Sequence, residues 1–75
     1  MRTFSLFIHH KGSSTPGLQV EATDGMEPLI RIAREVLYES DSRGRVEVRE
    51  EDRLVFILAR DGLVWPEDAQ AVARP

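Results

Sequence analysis

The sequence predicts a small α+β domain in which one helix lies across a four-stranded β-sheet. Three observations lead to this fold class. Apolar and polar side chains alternate in residues 2–9, 18–23 and 45–50, which is the period of a strand with one buried face. Between the second and third strands, apolar residues recur every three or four positions, as in an amphipathic helix. A run of six apolar residues, 54–59, predicts a fourth strand that is buried on both faces.

The alternation also predicts which side chains the helix covers. The first strand has one apolar face, and Phe7 interrupts the polarity of the other. The side chains expected under the helix are Phe4, Leu6, Ile8, Leu18, Val20, Val46 and Val48, with alternate residues of the fourth strand. The helix is expected to run to about Ser40, with Asp24 or Gly25 as its N-cap. Its apolar stripe consists of Met26, Leu29, Ile30, Ala33, Val36 and Leu37.

The strand order follows from crossover geometry and from charge. A right-handed crossover through the helix leaves the second and third strands parallel. These two strands carry charged side chains, as edge strands do, whereas the first and fourth strands are the most apolar. The order 2-1-4-3 with a parallel central pair, a β-grasp-like arrangement, is therefore favoured. The orders 1-2-3-4 and 2-1-3-4 remain open.

The chain divides into a ββαββ domain, residues 1–62, and a C-terminal tail, residues 63–75. Asp61 and Gly62 are a hairpin-type turn signal, so residues 63–65 are candidates for a short fifth strand. Residues 66–74 are compatible with a short helix that has proline near its start. The tail is expected to pack on the sheet or on a partner.

The charge pattern disfavours a nucleic-acid partner. Ten basic and thirteen acidic residues are interspersed, and Lys11 is the single lysine of a chain with a formal net charge of −3. A nucleic-acid binder concentrates Lys and Arg on one face. The chain has no cysteine, which fits a reducing compartment, and no stretch approaches the roughly 20 apolar residues of a membrane span. A cytoplasmic protein without a membrane partner is expected.

The reactive and metal-ligating side chains of the sequence do not form a recognisable catalytic, metal or cofactor motif, so we expect neither an enzyme nor a bound cofactor. His9 and His10 are adjacent on a strand, where neighbouring side chains point to opposite faces and do not converge on one metal ion. Residues 11–15 have the small polar character of an anion-binding loop. They lack the residue order of a P-loop, and a strand rather than a helix follows them. An ordinary hairpin loop is predicted.

The fourth strand needs a cover on its second face, because one helix covers only one side of a sheet. An uncovered apolar face commonly marks an interface, and tryptophan is frequent among residues that dominate binding energy. The sequence therefore predicts a protein–protein interaction module that forms a homodimer, with a further protein partner of unknown identity. The alternative is that the tail folds over its own sheet. The predicted interface residues are Phe7, Val55, Ile57, Val64 and Trp65.

A second hypothesis is an antitoxin-like or regulatory protein that associates with nucleic acid through an arginine-bearing surface. It requires salt-dependent contacts to phosphate groups from arginines that lie together on one surface. The candidates are Arg31, Arg34, Arg43, Arg45 and Arg49.

Three segments resemble a group of short alphaproteobacterial ββαββ proteins of unknown function. They are the aromatic-rich first strand, residues 4–9, the Ala/Arg-rich helix segment, residues 32–37, and the hairpin Val-Glu-Val-Arg-Glu-Glu-Asp-Arg-Leu, residues 46–54. The resemblance covers roughly residues 2–60 and implies the same fold. The group has no established activity, so the resemblance assigns no site residues.

Overall fold

The structure, a computed structural model, describes residues 1–66, which form five strands and one helix. In chain order these are β1 (Arg2–His10), β2 (Gly17–Thr23), α1 (Met26–Tyr38), β3 (Arg43–Glu50), β4 (Arg53–Ala59) and β5 (Gly62–Val64). All five strands belong to one sheet in the order β2-β1-β3-β4-β5. The predicted α+β class with a single helix on the sheet is confirmed. The helix predicted for residues 66–74 lies almost entirely outside the described residues.

The favoured order 2-1-4-3 is wrong, and so are the parallel central pair and the count of four strands. β1 pairs with β3 instead of β4, and every neighbouring pair is antiparallel. β2 and β3 run parallel on either side of β1, as expected for a crossover through the helix. The charges of β3 misled the prediction because Glu47 and Arg49 mark an uncovered face and not a sheet edge. The candidate fifth strand is present as β5 and extends the sheet beyond β4.

The core lies between α1 and the face of the sheet that α1 covers, which we call the inner face. Trp65 closes one margin of this core, where its ring meets Phe56 edge-on with centroids 5.3 Å apart. Because Phe56 is fully buried under α1, the indole lies on the inner side of the sheet. The buried side chains are Phe4, Leu6, Ile8, Leu29, Ala33, Val36, Leu37, Val46, Val48, Phe56 and Leu58.

The helix begins as predicted but ends earlier than Ser40. Gly25 is the N-cap residue, and the buried hydroxyl of Thr23 donates a hydrogen bond to the Gly25 carbonyl at 3.0 Å. The last helical residue is Tyr38. Within the described residues, no helix has the length and apolar character needed to cross a membrane.

Two arginines from outside α1 bind the carbonyl groups at its C-terminal end. The guanidinium of Arg43 donates to the Val36 carbonyl at 2.7 Å. Arg60 donates to the carbonyls of Leu37 at 3.2 Å, Ser40 at 2.8 Å and Arg43 at 3.0 Å. The last carbonyls of a helix have no partner within it, and the last turn of α1 contains no basic residue. These two side chains, which we call the arginine cap, therefore connect the end of α1 to β3 and to the β4–β5 turn.

An ion pair between Arg2 and Glu50 connects β1 to β3. The two nitrogen–oxygen distances are 2.9 Å and 2.6 Å, so the pair is bidentate. The side-chain hydrogen bond from Arg2 lowers the pKa of Glu50 below its ordinary value. A carboxyl whose pKa is lower in the folded than in the unfolded chain stabilises the fold above its unfolded pKa. That stabilisation is lost as the pH falls through the folded pKa.

The variant Glu50→Gln is therefore expected to melt at a lower temperature than the parent at neutral pH. The difference should shrink as the pH falls below the ordinary carboxyl range, because the parent carboxylate is then protonated as well. Thermal melts followed by circular dichroism at a series of pH values test this expectation. Glu35→Gln, at an exposed helix position, should show no such pH-dependent difference. A difference for Glu50→Gln that is independent of pH would contradict the assignment.

Candidate functional site

The face of the sheet opposite α1, which we call the open face, carries one residue from each strand in a single row. Strand register places Leu18 opposite Phe7, Phe7 opposite Glu47, Glu47 opposite Ile57, and Ile57 opposite Val64. Directly paired residues point to the same side of a sheet. The residues that flank Phe7 along β1 are buried under α1, so the row points away from the helix. We call these five residues the cross-strand row.

Much of this row is apolar and accessible to solvent. Leu18 is 62% exposed and Val64 is 48% exposed, and Val20, the next residue of β2 on this face, is 58% exposed. Phe7 and Ile57 are half-buried. Up to Pro66 the chain does not cross this face, because β5 pairs with the edge of β4 and Trp65 packs on the inner side. A contiguous apolar patch that its own chain leaves exposed is typical of a binding surface.

The prediction that Leu18 and Val20 lie under α1 is wrong. The register pairs Gln19 with Leu6 and Glu21 with Phe4, so the polar residues of β2 take the inner face. Five strands span about 19 Å from first to last, whereas a helix is about 10 Å wide. One helix therefore leaves the sheet edges partly uncovered, and Gln19 and Glu21 hydrogen-bond to each other there at 2.7 Å.

The structure brings three of the five predicted interface residues together and places two elsewhere. Phe7, Ile57 and Val64 lie in the cross-strand row. Val55 and Trp65 pack against the buried core. For Val55 the reason is an irregularity in the β3–β4 ladder, where register passes from Val48–Phe56 to Arg49–Leu54 and leaves Val55 without a partner. Such a bulge breaks the period of two that placed Val55 beside Ile57.

Sequence reasoning missed Leu18 and Val20 as open-face residues. Their alternation with polar neighbours predicts a half-buried strand but does not say which half is buried. The side is set by the pairing of β2 with β1, in which Leu18 meets Phe7. The signal that could have identified them is Phe7, the apolar residue on the otherwise polar face of β1.

A carboxylate lies at the centre of the open face, between two basic groups. Glu47 forms an ion pair with Arg49 at 2.5 Å, and Nε2 of His9 is 3.6 Å from the other carboxylate oxygen. The side chain of Glu47 is only 19% exposed, so it is already partly withdrawn from water. Among residues 1–66, no three acidic or histidine side chains lie close enough together to hold a metal ion. The open face therefore combines apolar side chains with a carboxylate that is paired within the sheet.

The five arginines of the nucleic-acid hypothesis do not share one surface. Arg31 and Arg34 are exposed on α1. Arg43 belongs to the arginine cap, and Arg45 and Arg49 lie in β3 with pairing partners on the open face. Because the sheet separates these groups, they do not form one continuous track for a phosphate backbone.

No protein-family model, no curated protein and no solved structure matches the chain.

Proposed function

We propose that the protein is a non-enzymatic interaction module that forms a homodimer through the open faces of two copies. The observation that carries the proposal is the cross-strand row, in which Leu18 and Val64 are exposed apolar side chains at opposite edges of one sheet. Pairing two such faces removes the apolar surface of both copies from water, which is the main favourable contribution to association. A cytoplasmic location and kinship with the alphaproteobacterial ββαββ group belong to the same proposal.

The charges on the open face favour a second copy of this chain as the occupant. Arg45, Glu47 and Arg49 alternate in sign along β3, with apolar residues on the strands to either side. A two-fold axis that crosses β3 between Glu47 and Arg49 would face each carboxylate with the guanidinium of the other copy. The same rotation places the apolar residues on either side of β3 opposite apolar residues of the other copy. The open face is therefore complementary to itself, as a two-fold interface requires.

The size of the face is compatible with a stable dimer. Five strands at about 4.8 Å spacing and about seven residues each give a projected face of roughly 24 Å by 23 Å. Two such faces bury roughly 1,100 Å² in total, just below the about 1,200–2,000 Å² of stable interfaces. Side-chain relief makes the accessible area larger than this projection. Two stacked sheets also match the packing of a β-sandwich, with the sheets about 10 Å apart.

Light scattering coupled to size exclusion tests the proposal on the full chain. We expect a mass twice the 8.5 kDa of one chain, and a mass that falls toward one chain on dilution. A mass of one chain at the highest workable concentration would contradict the homodimer.

The nucleic-acid alternative is not favoured by any observation on the described residues, because its arginines are divided between the two sides of the sheet. A salt-dependent gel shift with DNA or RNA that is abolished by Arg45→Gln and Arg49→Gln would revive it.

A further inference from the structure

A cleft with basic side chains lies at one end of the sheet, between the β1–β2 loop and the start of β3. Its volume is about 650 Å³. Four of its lining residues are basic, namely His9, His10, Lys11 and Arg45, and the others include two serines and two glycines. No acidic residue lines it, although the chain has a net charge of −3. The cleft therefore brings the positive charges of Lys11 and Arg45 together, against the overall sign of the protein.

Backbone hydrogen bonds hold the loop against the segment that leads into β3. The amide of Lys11 donates to the Ser42 carbonyl at 2.7 Å, and the amide of Ser13 donates to the His10 carbonyl at 3.2 Å. Gly12 has a φ of 75°, a left-handed conformation that glycine adopts without strain. The loop is thus a fixed wall of the cleft, and Lys11 is held on the same side of the sheet end as Arg45.

Two of the basic groups have no hydrogen-bonding or ion-pair partner within residues 1–66. Within residues 1–66, the ammonium of Lys11 and the guanidinium of Arg45 form neither an ion pair nor a side-chain hydrogen bond, and both residues are exposed. In contrast, the guanidinium groups of Arg2, Arg49 and Arg60 are each bound to oxygen atoms of the protein. Donors that converge on a cleft without a protein partner are available to a ligand.

We propose that this cleft binds a small organic phosphate. An arginine fork and a lysine ammonium are the side chains that proteins use for phosphate oxygens. Ser14 adds a hydroxyl group at the same wall, whereas the Ser13 hydroxyl is hydrogen-bonded to Thr15 within the loop. The volume is within the range of about 300–1,000 Å³ for small-molecule sites. It exceeds what one phosphate fills, and Ala59 adds an apolar surface for the organic part. One copy supplies every residue of the site, and Arg45 among them lies on the open face.

The site differs from a P-loop in the source of its donors. A P-loop presents phosphate to the N-terminus of a helix, whereas strand β2 follows this loop. Binding therefore depends on the side chains of Lys11 and Arg45. Each forms a charge-assisted contact, so each substitution is expected to weaken binding by about tenfold or more.

Amide chemical-shift mapping on the 15N-labelled full chain tests this site. The probes are adenosine 5′-monophosphate, ribose 5-phosphate and inorganic phosphate, each added separately. We expect shifts confined to residues 9–14 and 44–45 with the two organic phosphates, and weaker binding of inorganic phosphate. The double variant Lys11→Gln, Arg45→Gln should bind at least about a hundredfold more weakly while melting at the parent temperature, because both residues are exposed.

The matched control is the double variant Arg34→Gln, Arg53→Gln, which removes two exposed charges that do not line this cleft. It should bind the probes as the parent does. The proposal is overturned if no probe causes localised shifts, if the control loses binding equally, or if inorganic phosphate binds as tightly as the organic phosphates. Single-stranded RNA that shifts amides around every exposed arginine would overturn it too, because the charge would then act as a diffuse polyanion surface. Because Arg45 lies on the open face, the titrations and melts are made both on the parent and in the Leu18→Glu background, in which the open faces are kept apart. Binding by the Leu18→Glu variant supports the site whatever the mass of the parent in light scattering, so the two proposals fail separately.

Discussion

Leu18→Glu is expected to convert the dimer into a folded monomer. Leu18 is 62% exposed in the single chain, so a glutamate there meets mostly water and disturbs no core contact. In the dimer, the substitution removes a buried leucine from each copy, and each burial contributes about 1.5–3 kcal/mol. The loss occurs twice and adds two carboxylates that must be desolvated. We therefore expect the dissociation constant to rise by at least about a hundredfold.

The measurement is sedimentation equilibrium over a range of concentrations, with a thermal melt to confirm the fold. Gln19→Lys is the matched control, because Gln19 is the next residue of the same edge strand but faces the inner side, where Glu21 can pair with the new charge. It should leave the dimer intact. If Gln19→Lys dissociates the dimer as strongly as Leu18→Glu, β2 associates through its edge. If Leu18→Glu stays dimeric, the open face is not the interface.

The inner core could be predicted from the sequence because alternation and helical spacing converge on the same residues. Phe4, Leu6 and Ile8 are buried as expected, together with Val46 and Val48. These strands lie at the centre of the sheet, where the apolar face has to meet α1. The pattern alone therefore determines which side is buried.

The side that β2 buries could not be predicted in this way. An amphipathic edge strand can direct its apolar side chains to either face of the sheet. A shift of one residue in register moves them from one face to the other. Pairing with β1 places Leu18 beside Phe7 on the open face. Val55 packs against the core and not beside Ile57 for a related reason, since the unpaired position in β4 changes the phase of the alternation within a single strand.

The predicted strand order is wrong because charged side chains occur in two different structural settings. Charged residues protect exposed sheet edges, but they also occupy any face that is left without a cover. Glu47 and Arg49 are in β3, the middle strand of five, and they pair with each other on the open face. Sequence alone does not distinguish these cases, because strands at an edge and strands with one open face both alternate.

Nothing in the sequence marks the arginine cap. Arg43 lies beyond the end of α1, and Arg60 is separated from the Leu37 carbonyl that it binds by 23 positions. Their roles depend on the fold that brings β3 and the β4–β5 turn beneath the helix end. Arg43 is also one of the candidates of the nucleic-acid hypothesis, although its guanidinium is directed at the Val36 carbonyl.

Arg60→Ala is expected to destabilise the fold more than any exposed substitution. One guanidinium satisfies three carbonyls, those of Leu37, Ser40 and Arg43, and lies 4.9 Å from the centre of the Tyr38 ring. Removing a charged donor costs about 1.5–3 kcal/mol per hydrogen bond at partly buried sites, less where water replaces it. We expect a loss of about 2–4 kcal/mol and a fall in melting temperature of roughly 10 °C or more for a domain of this size.

The measurement is urea denaturation of Arg60→Ala and its control variants. All are made in the Leu18→Glu background, because dimer formation makes stability depend on concentration. Arg53→Ala is the matched control, since Arg53 is an exposed arginine of β4 outside the cap. Its effect should remain within about 0.5 kcal/mol. Arg60→Lys should recover little, because an ammonium on a flexible stem does not reproduce a planar fork directed at three oxygens. Equal stability of Arg60→Ala and the parent would show that water satisfies these carbonyls equally well. The arginine cap would then result from the packing of the helix end and would not itself stabilise the fold.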